Sequence, residues 1–164
     1  MDMTMSARGV LALALEMEET GQVFFEVVAS GCGPENQRVA QLLMTLARDE
    51  ADHLAKFRQM LEKLDGAEGK SVKLTKKQQD FVRKLLKDKV LPDPIAARQV
   101  AEVASPEDAL DLAIEMERNS VRLYGEILMG MSDEADKRII ENVIEEEKSH
   151  ERGLSATRKM DLSR

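Results

Sequence analysis

A chain of 164 residues is long enough for one domain with a sizeable core, and a single domain spanning 1–164 is expected. The net charge of −7 argues against general nucleic-acid binding. Cys32 is the sole cysteine, which excludes an intrachain disulfide and a CxxC metal knuckle. Trp is absent, aromatics are 3%, Met numbers 10 and charged residues are 34%. That mixture favours helices packed through Leu, Ile, Val, Ala and Met over aromatic-rich strands.

Arg8 followed by the apolar run 9–15 imitates a short signal peptide, but Glu16, Glu18 and Glu19 follow at once. No stretch approaches the ~20 apolar residues of a membrane span. A soluble, cytoplasmic protein with no membrane partner is expected. Helix A should run from about Ser6 to Ala29 and stop at Gly31-Cys32-Gly33, where Cys32 is read as a chance residue in a turn. Pro34 should open helix B, which extends to about Leu64 and ends at Asp65-Gly66.

Residues 65–105 form a crossover. A polar loop to Thr75 should lead into a short helix, 76–89, with Phe81, Leu85, Leu86 and Val90 on its apolar side. Leu91-Pro92-Asp93-Pro94 breaks it, and a further short helix follows from Ile95 to Ala104. Gly69-Lys70-Ser71 ends like a phosphate-binding loop but lacks the first glycine, since Leu64 stands there, and is set aside. Lysines 70, 73, 76, 77, 84, 87 and 89 with Arg83 make a basic island. It reads first as a solvated face, with a docking surface for an acidic donor or a second subunit as the alternative.

Ser105-Pro106-Glu107-Asp108 is a strong helix start: Ser at the N-cap, Pro at the first helical position, acids in the first turn. Helix C should reach about Met129. Ser132 should cap helix D, about Asp133 to Met160. Short A–B and C–D loops make each pair antiparallel. The long B–C connection is expected to let the second pair return in the same orientation as the first. The methionines read as core filler.

Two tetrads stand out: Glu50-Ala51-Asp52-His53 and Glu147-Lys148-Ser149-His150. The chain has only two histidines, and each lies three residues after a glutamate, on one helical face. Carboxylate oxygen with imidazole nitrogen suits a first-row transition metal. One such pair alone would read as an acidic surface helix with a stray His; two that exhaust the histidines do not. Ala14-Leu15-Glu16-Met17-Glu18 also reappears as Ala113-Ile114-Glu115-Met116-Glu117, with Phe24-Phe25 matching Leu123-Tyr124. The chain reads as two copies of one helical hairpin.

Helical phase then sorts the repeated glutamates. Glu117 lies among Leu110, Ala113, Ile114, Val121 and Tyr124, and Glu18 among Leu11, Ala14, Leu15 and Phe25. Glu115 lies among Asp111, Arg118, Asn119 and Arg122 and should face solvent; Glu16 is less clear. Glu50 and Glu147 also fall on apolar stripes. Four inward glutamates with two neutral imidazoles balance two divalent cations, and burying such carboxylates without cations would be very costly.

On these residues the chain resembles the rubrerythrin branch of the ferritin-like di-iron carboxylate family, over roughly residues 6–160. The resemblance implies an all-α, ferritin-like four-helix bundle of two antiparallel hairpins joined by a long crossover. It implies two iron ions, with Mn or Zn as possible substitutes. Glu50 and Glu147 would bridge them, Glu18 with His53 would complete one site, and Glu117 with His150 the other. Family members reduce hydrogen peroxide or react with dioxygen. The usual four-cysteine rubredoxin segment is not in this sequence, so electrons would come from an external donor protein. The family's additional helix C glutamate is replaced here by Ser120 or nearby Asn119.

Tyr124, matched by Phe25 in the first copy, is the candidate catalytic side chain, able to hydrogen-bond or protonate a ligand. Three readings stand at this stage: a peroxide- or dioxygen-reducing enzyme, an iron-handling ferroxidase, and a metal-stabilised interaction module. A homodimer or another small assembly is expected, with the 65–105 crossover contributing to the contact.

Overall fold

The computed structural model describes residues 7–65, 76, 80, 94–131 and 134–161. Helix α1 spans Ala7–Gly31. A single 3-10 turn, Pro34–Asn36, follows, and α2 spans Gln37–Asp65. Helix α3 is short, Pro94–Val103. Helices α4, Pro106–Gly130, and α5, Glu134–Asp161, complete the chain. All described regular structure is helical. No described helix is long and apolar enough to cross a membrane.

The helix ends follow the local chemistry. Pro34 opens a 3-10 turn rather than α2 itself, and Asn36 N–H donates to Gly33 O at 2.9 Å. Ser105 caps α4: its Oγ accepts from Asp108 N–H at 3.1 Å, satisfying one of the first turn's orphan donors. The Ser132 cap, the polar loop to Thr75, the 76–89 helix apart from residues 76 and 80, its apolar side, and most of the basic island lie outside the described residues.

Helix α1 packs along α2, α3 and α4, while α5 packs along α4 and α2. Two apolar clusters fill the bundle. One holds Leu11, Ala14, Met17, Phe57, Met60, Leu123, Tyr124, Ile127, Ile140 and Val143. The other holds Phe24, Phe25, Val28, Val39, Leu43, Leu46, Ala109, Leu110, Ala113 and Leu154, and α3 adds Ala97 and Ala101 to it. Each long helix passes from one cluster to the other.

The order of passage sets each helix's direction. Helices α1 and α5 run from the first cluster to the second; α2 and α4 run from the second to the first. So α4 is parallel to α2 and antiparallel to α1. The expected shared orientation of the two pairs is thus corrected: the second hairpin is reversed relative to the first. The physical reason is the crossover itself. A helix parallel to α1 could start where α2 ends with a short loop, whereas a helix parallel to α2 requires the chain to travel back along the bundle.

Candidate metal centre

Between the two apolar clusters, each long helix carries buried polar side chains: Glu18 on α1, Glu50 and His53 on α2, Glu117 on α4, Glu147 and His150 on α5. Helical phase explains the selection. Glu16 and Glu115, two residues from the buried glutamates, are exposed. All six predicted ligands converge in two sets, Glu18–Glu50–His53–Glu147 and Glu50–Glu117–Glu147–His150. Within each set the candidate ligand atoms lie within 4.8 Å of one another. Glu50 and Glu147 belong to both.

The donor atoms fit metal ions. His53 Nδ1 lies 3.1 Å from Glu18 Oε2, 3.2 Å from Glu147 Oε1 and 3.8 Å from Glu50 Oε2. His150 Nδ1 lies 3.1 Å from Glu147 Oε2, 3.6 Å from Glu117 Oε1 and 4.0 Å from Glu50 Oε1. Glu117 Oε1 and Glu147 Oε1 are buried without a hydrogen-bond partner. Orphaned carboxylate oxygens in an apolar surround are costly unless a cation takes them up.

Both Nδ1 atoms face the carboxylates, and both Nε2 atoms face outward to a further acid. His53 Nε2 pairs with Glu146 Oε2 at 2.6 Å, and His150 Nε2 with Asp49 Oδ2 at 3.2 Å. Such an outer carboxylate orients an imidazole and raises its basicity. It leaves Nδ1 as the ligand atom. Glu146 is held in turn by Lys56 Nζ at 2.9 Å. Sequence reasoning missed Asp49 and Glu146. The available signal was that each immediately precedes an E-x-x-H tetrad. Helical spacing would pair Asp49 with His53 and Glu146 with His150, but the bundle crosses the partners.

Electrostatics describe a centre built for positive charge. Burial, reinforced by Glu18 and Glu147, pushes the Glu50 carboxyl well above its usual range. Burial, then Glu147, does the same to Glu117. For Glu147, burial pushes up, but His150, His53 and Glu117 prevail and pull it down to about 2. For His53, burial favours the neutral ring, yet Glu147, Glu18 and Glu50 together raise it. In the metal-free protein the centre therefore holds protons where cations would sit. Metal loading at neutral pH should release protons, because ligand carboxylates and imidazoles must be deprotonated. Calorimetry of metal binding in two buffers of different ionisation enthalpy checks this; identical heats in both would contradict it.

Tyr124 is buried, its hydroxyl donates to Glu18 Oε1, and its ring lies 5.2 Å from that of Phe57. Burial first, then Glu18 and Glu147, raises the phenol well above its ordinary value, so the proton stays on it. Phe25 carries no hydroxyl, so the two halves of the centre are unequal. Gly21, one turn after Glu18, makes room for Glu50: a Cβ there would stand 3.3 Å from Glu50 Cδ. The second copy carries Ser120 at that position. Asn119, expected among solvent-facing residues, is buried.

A family model described as Rubrerythrin matches residues 9–157. Among solved structures, the chain is similar to a crystal structure from Thermotoga maritima described as a ferritin-like diiron-carboxylate protein. The TM-score is 0.68 at 20% identity, over 95% of this chain and 96% of that one. At that identity the likeness shows the fold. No curated protein matches the chain.

Proposed function

The chain belongs to the rubrerythrin family, and from that premise we propose that it is a di-iron redox protein that reduces hydrogen peroxide with electrons from a separate donor protein. The observation that carries this reading is the pair of buried carboxylate–histidine sets sharing Glu50 and Glu147. Glu18, Glu50 and His53 with Glu147 would hold one ion; Glu117 and His150 with the same two shared glutamates would hold the other. When bound, two adjacent redox-active cations supply the two electrons for O–O cleavage and offset charge on both oxygens.

The remaining roles belong to the chain. Cleavage consumes one peroxide, two electrons and two protons and yields two waters. The Tyr124 hydroxyl donates to Glu18 and would hold a proton at the first half of the centre. The apolar clusters on either side restrict water. The outer acids Asp49 and Glu146 keep both imidazole Nδ1 atoms aimed at the centre.

Iron oxidation for storage or delivery is the second reading. Ser120 favours it, because the additional glutamate expected near that position is absent. Rapid mixing of the reduced, iron-loaded protein separates the two. With one equivalent of peroxide, oxidation should be much faster than with the same amount of dioxygen. A faster reaction with dioxygen would replace the peroxidase reading by the ferroxidase one.

A further inference from the structure

Away from the candidate metal centre, α4 and α5 flank an open cavity of about 490 Å3. Four cationic side chains line it, Arg118, Arg122, Arg158 and Lys159, against the two carboxylates of Asp111 and Glu115. In a chain of net charge −7 that is a local reversal of sign. The carboxylates are not equivalent. Asp111 is occupied by Arg158, with Nε to Oδ1 at 2.8 Å and Nη2 to Oδ2 at 3.0 Å. Glu115 is exposed.

That fork leaves the third guanidinium nitrogen over. Arg158 Nη1 is shielded from solvent and has no hydrogen-bond partner, although the side chain as a whole is 20% exposed. A second donor on the same cavity is in the same condition: Asn119 is 4% exposed, and its Nδ2 is buried without a partner. A buried donor without an acceptor costs roughly 1–3 kcal/mol, more when it is charged. Two such donors from facing helices, one cationic, call for one acceptor-rich guest. Ser155 adds a hydroxyl to the lining and Arg122 an exposed charge, while Arg118 is paired through Nε with Glu151 Oε1 at 2.7 Å.

We infer that this cavity binds a small, multiply charged oxyanion of the phosphate class, as inorganic phosphate or a phosphate monoester, with Arg158 Nη1 and Asn119 Nδ2 as the inner donors. Charge-assisted bonds to a tetrahedral anion use donors arriving from several directions, which this lining supplies. The space exceeds what a bare phosphate needs, so a short organic substituent fits. The site uses none of the six candidate ligands of the metal centre.

The test is equilibrium dialysis of the full-length, metal-loaded protein against labelled inorganic phosphate at constant ionic strength, with glycerol phosphate in a parallel arm. One phosphate per chain should bind saturably at this cavity. Arg158→Lys keeps the charge but loses the fork and should weaken binding about tenfold. Arg122→Gln, at an exposed position, should weaken it several-fold without a risk to folding, and it decides the matter if Arg158→Lys fails to fold. Phosphate held at the metal centre would be insensitive to both changes and is so distinguished. Tighter binding of glycerol phosphate points to a monoester, and equal binding to free phosphate. The inference is overturned if binding is not saturable, or if neither change weakens it.

Discussion

Replacing Glu147 by Ala should empty both halves of the metal centre, whereas replacing Glu18 by Ala should empty mainly one. Glu147 belongs to both ligand sets, and its two oxygens approach different histidines, Oε1 toward His53 at 3.2 Å and Oε2 toward His150 at 3.1 Å. Glu18 belongs only to the His53 set. Iron content measured on the purified variants should therefore fall close to zero for Glu147→Ala. It should fall by about half for Glu18→Ala, in proportion to the sets each residue serves. Glu115→Gln is the control. Its side chain is exposed although it lies two residues from Glu117. A loss of metal in Glu115→Gln with retention in Glu117→Gln would mean that the helical phase of α4 had been misread.

The second large effect is on stability. Metal-free, the bundle holds four glutamates and two histidines between apolar clusters, with two carboxylate oxygens unpartnered. Each ion present at a thousandfold excess over its Kd contributes about 4 kcal/mol to the folded state. For a domain of this size, each kcal/mol moves Tm by roughly 2–4 °C. Chelation should lower Tm by more than about 10 °C.

The pH dependence of the metal-free form follows from the raised groups. Glu50 and Glu117 sit above their ordinary 4.5 in the fold. Their contribution is complete below that value and is lost as pH rises through the folded pKa. His53 acts in the same direction above its ordinary 6.5. Glu147 acts oppositely, but only between about 2 and 4.5. So the metal-free chain should be more stable in mildly acidic than in mildly alkaline solution, and the loaded protein should lose much of that slope. A Tm indifferent to chelation would contradict the placement of the ions in the core.

What could be read from the sequence was what one helix carries by itself. Ser105 announced a cap because the Ser-Pro-acid signal is local. The phase of Glu117 against Glu115 followed from neighbours three and four residues away, and Glu18 fell on an apolar stripe, whereas Glu16 was left less clear. The six buried candidate ligands emerged for the same reason. What was not legible depends on how helices meet. Asp49 and Glu146 reach across to histidines of the other hairpin, and no spacing within one helix reveals that exchange. Asn119 shares a helical face with the charged neighbours of Glu115, yet it is buried in the bundle. The reversed second hairpin is likewise a property of the crossover's path and not of any helix.

Two ions per chain, held by two shared and four unshared side chains, are the central expectation. Metal analysis of the wild-type protein beside His53→Ala and His150→Ala tests it most directly. The prediction is two irons per chain in the wild type and a clear loss in each variant, because each His serves one set only. Two metals per chain retained in both variants would contradict the assignment.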